Sequence, residues 1–463
     1  MKELFLSPIS LAIVFAILVV VSLIFIKLTA KSQYTKPLEK PLVFLFLIGI
    51  FPIPFLPFSL TAPDRLSVDN LSPTGFITTS IIYAVVLFLL KRISFPDLPK
   101  GLLLVFKEPL LLMLPTMTVA SMLWSQTPFL TLCSSVGMVG LTVLAAQTAK
   151  KYSWAELEQL LRWVLTVIGL LSVPIALFLP SLRLYGDAWG GFVSNSKLLG
   201  SLMALNVILW LVRLVYEPKG KILAAGMIGL SIVINIFTLA KSSLITLAVL
   251  LYLFFSLRLL QFYKFRQSII VFIFLIVMSI LLALAVSAGI ELIFQALGKD
   301  PTLTGRTVFW EQLIDTIARS PLGYGYNGFW QPWRGIENPA VFIGAGLEGD
   351  YRPPHAHNGF LDVGLQLGFI GLLIFLLSFA KTLIAAIWRT QFHRGSEAVF
   401  PLIILVFLIM SNTSESQNMG LIGPNYSWFL YALMAIKMNL KIHQKDDKFN
   451  RAEMSLLTYS EQR

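Results

Sequence analysis

The chain has 463 residues, of which 56% are hydrophobic and only 13% are charged, and its mean hydropathy is +0.78. Soluble proteins carry about 25% charged residues, so this composition excludes an ordinary soluble domain and indicates a protein of the lipid bilayer. A net charge of +12 can signal nucleic-acid binding. Here the positive residues are divided among short loops between apolar stretches, and we expect no nucleic-acid partner.

Apolar stretches of the length that a membrane-spanning helix needs, about 20 residues, occur along the whole chain. We identify thirteen of them, at 8–26, 41–60, 74–90, 109–124, 129–147, 161–180, 198–216, 222–239, 242–260, 269–290, 360–380, 398–411 and 425–440. They predict an all-α, polytopic membrane bundle of 12–14 transmembrane helices, with residues 1–463 in a single membrane domain. The first stretch lacks a signal-type cleavage site, so we expect it to be retained.

The positive residues predict the orientation of this bundle. The seven loops that should share one side (27–40, 91–107, 150–162, 213–221, 258–266, 381–394 and 437–463) hold 26 of the 36 Lys and Arg residues. Loops rich in Lys and Arg face the cytoplasm. The segment 291–358, with seven acidic and five basic residues, is therefore predicted to be extracytoplasmic, and 441–463 to be a cytoplasmic tail.

The segment 291–358 is too long for a plain connection, and segments of this length are usually functional or disordered. It is rich in aromatic residues, which disordered segments lack, so we expect it to fold. Trp310, Leu313, Ile314 and Ile317 repeat at helical spacing and predict an amphipathic helix at the membrane surface. Pro321 and the glycines that follow it should end that helix.

At the junction between this segment and the next span lies His357-Asn358, followed by Gly368 and Gly371. An ionisable residue at the mouth of a span is a candidate functional residue because it is costly to desolvate. Small residues in a span allow a neighbouring helix to approach closely. The alternative interpretation is that His357 only caps the span and that the glycines only pack.

Three cations on the same predicted side could bind an anion. Arg306 opens the amphipathic helix, Lys241 lies in the short turn 238–243 between two spans, and Arg352 precedes His357 by five residues. A cation in a low-dielectric environment binds phosphate more strongly than one in water. The alternatives are a snorkelling interfacial lysine at 241, a helix-surface ion pair at Arg306 and a solvated loop charge at Arg352.

Several kinds of chemistry lack their usual residues. The single cysteine, Cys133, excludes an intramolecular disulfide and is expected to be a small buried residue. His355 and His357 have no further ligands nearby in sequence, and no Asp-x-Asp pair occurs in a predicted outer loop. We therefore expect no metal site and no cofactor. No phosphate-binding loop of the ATPase type is present.

The His357-Asn358-x9-Gly368-x-x-Gly371 pattern resembles that of the bacterial O-antigen ligase and polysaccharide polymerase family. The runs Gly305–Trp310 and Ser320–Gly325 are similar to further elements of that family, as are the Asn195 region and the Lys241 turn. Altogether the resemblance covers roughly residues 185–375. It implies an integral membrane glycosyltransferase that takes a glycan from an undecaprenyl-diphosphate donor on the outer face of the bacterial plasma membrane.

The resemblance also implies roles for single residues. His357 stands at the position of the proposed base, and Arg306 matches the arginine thought to hold the donor diphosphate. Lys241 stands where many members carry arginine, so it retains the charge but not the bidentate fork. With Arg352 added, these cations form the expected diphosphate-binding set, and Asn358, Gly368 and Gly371 support the histidine.

The leading hypothesis is thus a metal-independent glycosyltransferase that polymerises O-antigen or exopolysaccharide repeat units. Its expected partners are the lipid-linked donor, a glycan acceptor, membrane lipids and a chain-length regulator. An O-antigen ligase with lipid A-core as the acceptor is the first alternative. A small-anion transporter is a second, although the paired interrupted helices and midspan carboxylates of such carriers are not evident.

Overall fold

The computed structural model describes residues 43–44, 47–48, 50, 103–178, 188–193, 195–217, 219–260, 306–331, 336–343, 355–414 and 425–440. The predicted spans 8–26, 74–90 and 269–290, most of 41–60, the tail 441–463 and the side chain of Cys133 lie outside the described residues. Each predicted span that falls within the described residues is helical.

The helices are α1 (Pro109–Ala120, continued by a 3-10 turn at Ser121–Leu123), α2 (Pro128–Lys151), α3 (Trp154–Phe178), α4 (Ser196–Tyr216), α5 (Lys221–Phe237), α6 (Lys241–Leu260), α7 (Arg306–Arg319), α8 (Gly359–Phe392), α9 (Ser396–Ser414) and α10 (426–440). Six of these, α2, α3, α4, α6, α8 and α9, are long and apolar enough to cross a membrane. The chain is a polytopic helical membrane protein, as its composition predicted.

Helices α3 and α8 extend furthest beyond their predicted apolar stretches. Helix α3 begins at Trp154 rather than at 161, because Ser153 and Glu156 form a capping box: Glu156 N–H donates to Ser153 Oγ at 3.2 Å and Ser153 N–H donates to Glu156 Oε2 at 3.0 Å. Helix α8 continues to Phe392, twelve residues beyond the predicted end of its span. The loops predicted at 150–162 and 381–394 are therefore mostly helical.

Helix α4 lies at the centre of the described bundle and packs against α3, α5, α6 and α9. Fifteen of the 21 residues of α4 are buried, which is typical of a helix that is apolar on most sides. Close contact with α5 and α6 is possible because Gly200 faces Thr238 and Ser243. The Asn235 amide fastens this contact by donating to the Gly200 carbonyl at 2.7 Å.

A cation–aromatic cluster closes the end of the bundle where α2 meets α3. The Trp154 ring lies 5.0 Å from the Arg389 guanidinium and 5.1 Å from the Lys437 ammonium. Lys437 also donates to the carbonyls of Ala149 and Tyr152, at the end of α2. Loops that were assigned to one side of the membrane thus meet at one end of the bundle, while the identity of that side stays a prediction.

Helix α7 confirms the predicted helix in the long segment, and it packs against α8. Leu313 and Ile317 are buried, Trp310 is partly buried and Ile314 is 55% exposed. Phe309, which the apolar repeat did not include, is also buried.

Helix α8 is interrupted at Gly368, whose φ of 67° and ψ of −173° are non-helical and accessible mainly to glycine. In an unbroken helix, the carbonyls of residues 365 and 366 would accept from the amides of 369 and 370. Here they accept from Tyr324 N–H at 2.9 Å and Gly325 N–H at 3.1 Å, and the Ile370 amide donates to the Pro321 carbonyl at 3.5 Å. The turn Pro321–Gly325 is therefore hydrogen-bonded into the break in α8.

Replacing Gly368 with alanine should destabilise the protein. A Cβ at this position would overlap the Pro321 carbonyl, and the positive φ is itself strained, which together cost at least about 1–3 kcal/mol. We expect a lower melting temperature in detergent for Gly368→Ala.

Gly226→Ala in α5 is the matched control, because no atom lies within 4 Å of the Cβ it would add and its helix is regular. It should be neutral or slightly stabilising, since alanine is the better helix former. Equal melting temperatures for Gly368→Ala and wild type would contradict the proposed constraint at the break.

Candidate functional site

His357 immediately precedes the cap of α8 and adopts a left-handed backbone conformation, with φ of 50°. Only 9% of the residue is exposed. Its amide donates to His355 Nδ1 at 3.2 Å, and the centroids of the two imidazole rings are 4.2 Å apart. Left-handed residues other than glycine are uncommon and often occur at functional sites, so this geometry supports the selection of His357 as a candidate.

Asn358 is the N-cap of α8. Its side-chain oxygen accepts from Phe360 N–H at 3.0 Å and from Leu361 N–H at 3.3 Å, which satisfies two amides that have no partner within the helix. The two residues of the His-Asn pair thus have different roles: Asn358 caps the N-terminus of α8, and His357 lies just before the cap.

The residue before His357 is held from both sides. The Ala356 carbonyl accepts from Trp310 Nε1 at 2.8 Å, and the Ala356 amide donates to Asp362 Oδ1 at 3.3 Å. The same carboxylate oxygen accepts from Trp330 Nε1 at 2.8 Å. Ala356 and Asp362 are buried, so these bonds form away from bulk water and fix the peptide that leads into His357.

A small apolar core lies beneath this arrangement, separate from the core of the bundle. Its buried members are Phe309, Leu313, Ile317, Phe329, Ala340, Ile343, Ala356 and Leu365. The Phe309 ring lies edge-on to the His357 ring, with centroids 6.1 Å apart. Phe309 and Trp310 of the first run therefore lie beside His357 and Ala356, while the turn Pro321–Gly325 contacts α8 further along, at Leu365 and Gln366.

The segment after α7 is also anchored to the corner between α1 and α2. Tyr326 N–H donates to Ser121 Oγ at 2.9 Å, and Trp124 Nε1 donates to the Leu322 carbonyl at 3.2 Å. Asn327 N–H donates to Gln366 Oε1 at 3.1 Å and links this segment to α8. The segment after α7 is thus part of the framework of the site.

Lys241 is the first residue of α6 and follows a turn in which Leu239 has a φ of 52°. The side chain is exposed, and among the described residues it has neither a hydrogen bond nor an ion pair. Helix α6 packs against α9, and Asn412 near the end of α9 contacts Gly359 at the start of α8. Lys241 and His357 therefore lie at the same end of the bundle.

The side chains of the other two predicted cations lie outside the described residues. Arg306 is the first residue of α7, as predicted, but its side chain lies outside the described residues. Arg352 lies entirely outside them. Their assignment to a diphosphate site stays a prediction.

The two glycines of the sequence pattern act differently from the expected close approach of a helix. Gly368 is approached by the turn at Pro321. At Gly371, a Cβ would meet the Leu367 side chain of the same helix, because the break at Gly368 turns that side chain inward. The close approach of another helix occurs instead at Gly364, where a Cβ would lie 2.8 Å from Ile317 Cδ1 of α7.

Two functional candidates escaped the sequence reasoning, Asp362 and Trp330. Asp362 lies in the first turn of α8, where a carboxylate is favoured by the helix dipole, and this position was the available signal. Nothing in the spacing of Trp330 indicates its partner. Within the described ranges, no group of three or more His, Cys, Asp or Glu side chains could hold a metal ion.

The capping role of Asn358 can be tested by substitution. Asn358→Ala should lower the stability by about 1 kcal/mol, because two amides of α8 lose their acceptor. Asn358→Asp should retain most of the stability, since aspartate is an equally good N-cap. Thermal denaturation of the purified variants measures both. If Asn358→Asp were as unstable as Asn358→Ala, the side chain would do more than accept these bonds.

Known proteins resemble the part of the sequence that contains these residues. A family model described as O-antigen ligase matches residues 225–376, which include the Lys241 turn, α7 and His357 through Gly371. The exopolysaccharide production protein ExoQ of Rhizobium meliloti (strain 1021) is 37% identical over 93 residues, 20% of this chain. The chain matches about a fifth (21%) of the length of that relative. The resemblance to the O-antigen ligase and polysaccharide polymerase family is thus confirmed.

Proposed function

We propose that this protein is a membrane glycosyltransferase that moves a glycan from an undecaprenyl-diphosphate donor to a sugar hydroxyl on the outer face of the bacterial plasma membrane. The observation that carries the proposal is the placement of His357. It is held in a left-handed conformation where three elements of the matched segment meet. A framework this specific exceeds what a simple helix cap requires.

In the proposed reaction, the bond between the anomeric carbon of the donor glycan and the diphosphate oxygen breaks, and its electron pair stays on the diphosphate. A bond forms between that carbon and the acceptor hydroxyl oxygen, and His357 accepts the hydroxyl proton. Histidine suits this role because an imidazole can accept a proton near neutral pH.

Charge that develops on the leaving diphosphate needs stabilisation, and cations aimed at such charge often make the largest contribution to catalysis. Lys241 is exposed at the end of the bundle where His357 lies, and it begins α6. The N-terminus of a helix carries partial positive charge, so a lysine there is unfavourable until an anion binds. Arg306 and Arg352 complete the proposed diphosphate-binding set, and no metal ion takes part.

Within this reaction class we propose polymerisation of exopolysaccharide or O-antigen repeat units, since a relative of this chain is an exopolysaccharide production protein. Transfer to lipid A-core is the alternative, and the description of the matching family model favours it. A polymerase would use lipid-linked repeat units as both donor and acceptor and could act with a chain-length regulator.

Purified protein in liposomes with one labelled undecaprenyl-diphosphate repeat unit tests the proposal. A polymerase should give a ladder of longer glycans, and His357→Ala should give none at equal protein levels. EDTA should leave the ladder unchanged. Transfer of the labelled glycan to added lipid A-core, without a ladder, would indicate the ligase, and uptake of a small anion without glycan transfer would indicate a transporter.

The contribution of Lys241 can be measured in the same assay. Lys241→Gln should lower kcat/KM by about 10–100-fold, because one charged contact to the diphosphate is lost. Lys241→Arg should stay near wild type, since the charge is retained. Lys221→Gln, at the opposite end of α5, is the matched control and should leave the rate unchanged. Wild-type activity in Lys241→Gln would remove this residue from the proposed site.

A further inference from the structure

Asp362 is a buried carboxylate that the proposed reaction does not use. It lies in the first turn of α8, five residues after His357, and is only 2% exposed. Burying a charge is unfavourable unless it is hydrogen-bonded. Its Oδ1 atom accepts two bonds, from Trp330 Nε1 at 2.8 Å and from the Ala356 amide at 3.3 Å. The carboxylate therefore links an aromatic of the outer segment to the backbone that precedes His357.

Both the amide and the carbonyl of Ala356 are hydrogen-bonded to side chains. Asp362 holds the amide, and Trp310 holds the carbonyl at 2.8 Å. Trp330 is itself held in place by edge-on packing against Phe329, with centroids 4.9 Å apart. With both sides of Ala356 fixed by buried groups, the chain has little freedom at the next residue, which is His357.

This restriction matters because His357 has a φ of 50°. A left-handed conformation costs a residue with a side chain about 1–2 kcal/mol, so it persists only where the surroundings impose it. Release of the Ala356 amide would let the backbone relax towards an ordinary conformation. The imidazole would then leave its position beside Phe309 and His355, although no atom of the ring had changed.

We infer that Asp362 is a positioning residue that holds the His357 imidazole in its reactive place through the backbone of Ala356. The inference rests on the proposed function, since it assigns His357 the role of proton acceptor. Asp362 itself does not touch the substrate in this scheme. In this role Asp362 contributes an acceptor oxygen at a fixed point, a property that we distinguish from its negative charge.

The substitutions Asp362→Asn and Asp362→Ala separate these two properties. Both observed bonds use Oδ1, and asparagine keeps an oxygen there, so Asp362→Asn should retain most of the transfer activity. Asp362→Ala removes the acceptor and should lower kcat by about 100-fold, the effect of a small misplacement of a reacting group. The KM for the labelled lipid-linked donor should change little, because the proposed diphosphate contacts lie elsewhere.

The pH profile gives a readout that a loss of stability would not change. In the wild type, activity should fall on acidification, because the proposed reaction needs an unprotonated base. In Asp362→Ala, the residual activity should lack this dependence, since the imidazole no longer accepts the proton. Leu313→Ala, in the same small core but without a bond to Ala356, should be less stable yet keep the wild-type profile. Asp315→Ala, an exposed carboxylate of α7, should match wild type.

Three results would overturn the inference: wild-type kcat in Asp362→Ala, equal inactivity of Asp362→Asn and Asp362→Ala, or the same altered profile in Leu313→Ala. If Asp362→Ala does not accumulate in membranes, Trp310→Phe keeps the ring and removes the other bond to Ala356, and it should show the same change in profile. Full activity of His357→Ala would overturn the proposed function as well, whereas an inactive His357→Ala with an active Asp362→Ala would overturn the inference alone.

Discussion

The interruption of α8 at Gly368 is the constraint on which the rest of the site depends. A backbone carbonyl without a partner costs several kcal/mol in an apolar environment, so a membrane helix cannot be broken unless other groups replace the lost bonds. The turn Pro321–Gly325 supplies the replacements for the carbonyls of Leu365 and Gln366. The segment that follows α7 is therefore hydrogen-bonded to α8 through the groups that the break exposes.

This fastening explains why the framework around His357 is assembled from segments far apart in the chain. Once the turn is fixed on α8, the chain that leaves it carries Trp330 towards Asp362, while α7 brings Phe309 and Trp310 to the other side. The Asn358 cap then sets where α8 begins. Each of these contacts is common in proteins, and their combination imposes the left-handed backbone conformation of His357.

Much of the helical architecture could be predicted from the sequence, because long apolar stretches have few alternatives to helices in a bilayer. The ends of the helices were less predictable. Helix α3 begins before its apolar stretch, because the capping box at Ser153 sets its first residue. The periodicity predicted α7 and its apolar residues, but not which of them are buried, because burial depends on what packs against the helix: Leu313 and Ile317 are buried, and Ile314 is exposed.

The candidate site was predicted in part. The pattern selected His357, Asn358 and Gly368, whose local conformations the structure describes. It did not reveal that Gly368 faces the turn at Pro321, or that Asp362 reaches back to Ala356, since both are tertiary contacts with no period or spacing of their own. Ala356 and Asp362 are close in sequence, but this separation predicts their hydrogen bond only when the direction of the first turn of α8 is known.

The cation–aromatic cluster at Trp154 has a consequence for the order in which the molecule is completed during synthesis. Lys437 reaches the carbonyl of Tyr152 across 285 residues of chain. At a synthesis rate of about 5–20 residues per second, Tyr152 waits on the order of half a minute before Lys437 exists. The end of the bundle opposite His357 is thus completed only when the last described helix has been synthesised, and until then the carbonyls of Ala149 and Tyr152 lack this donor.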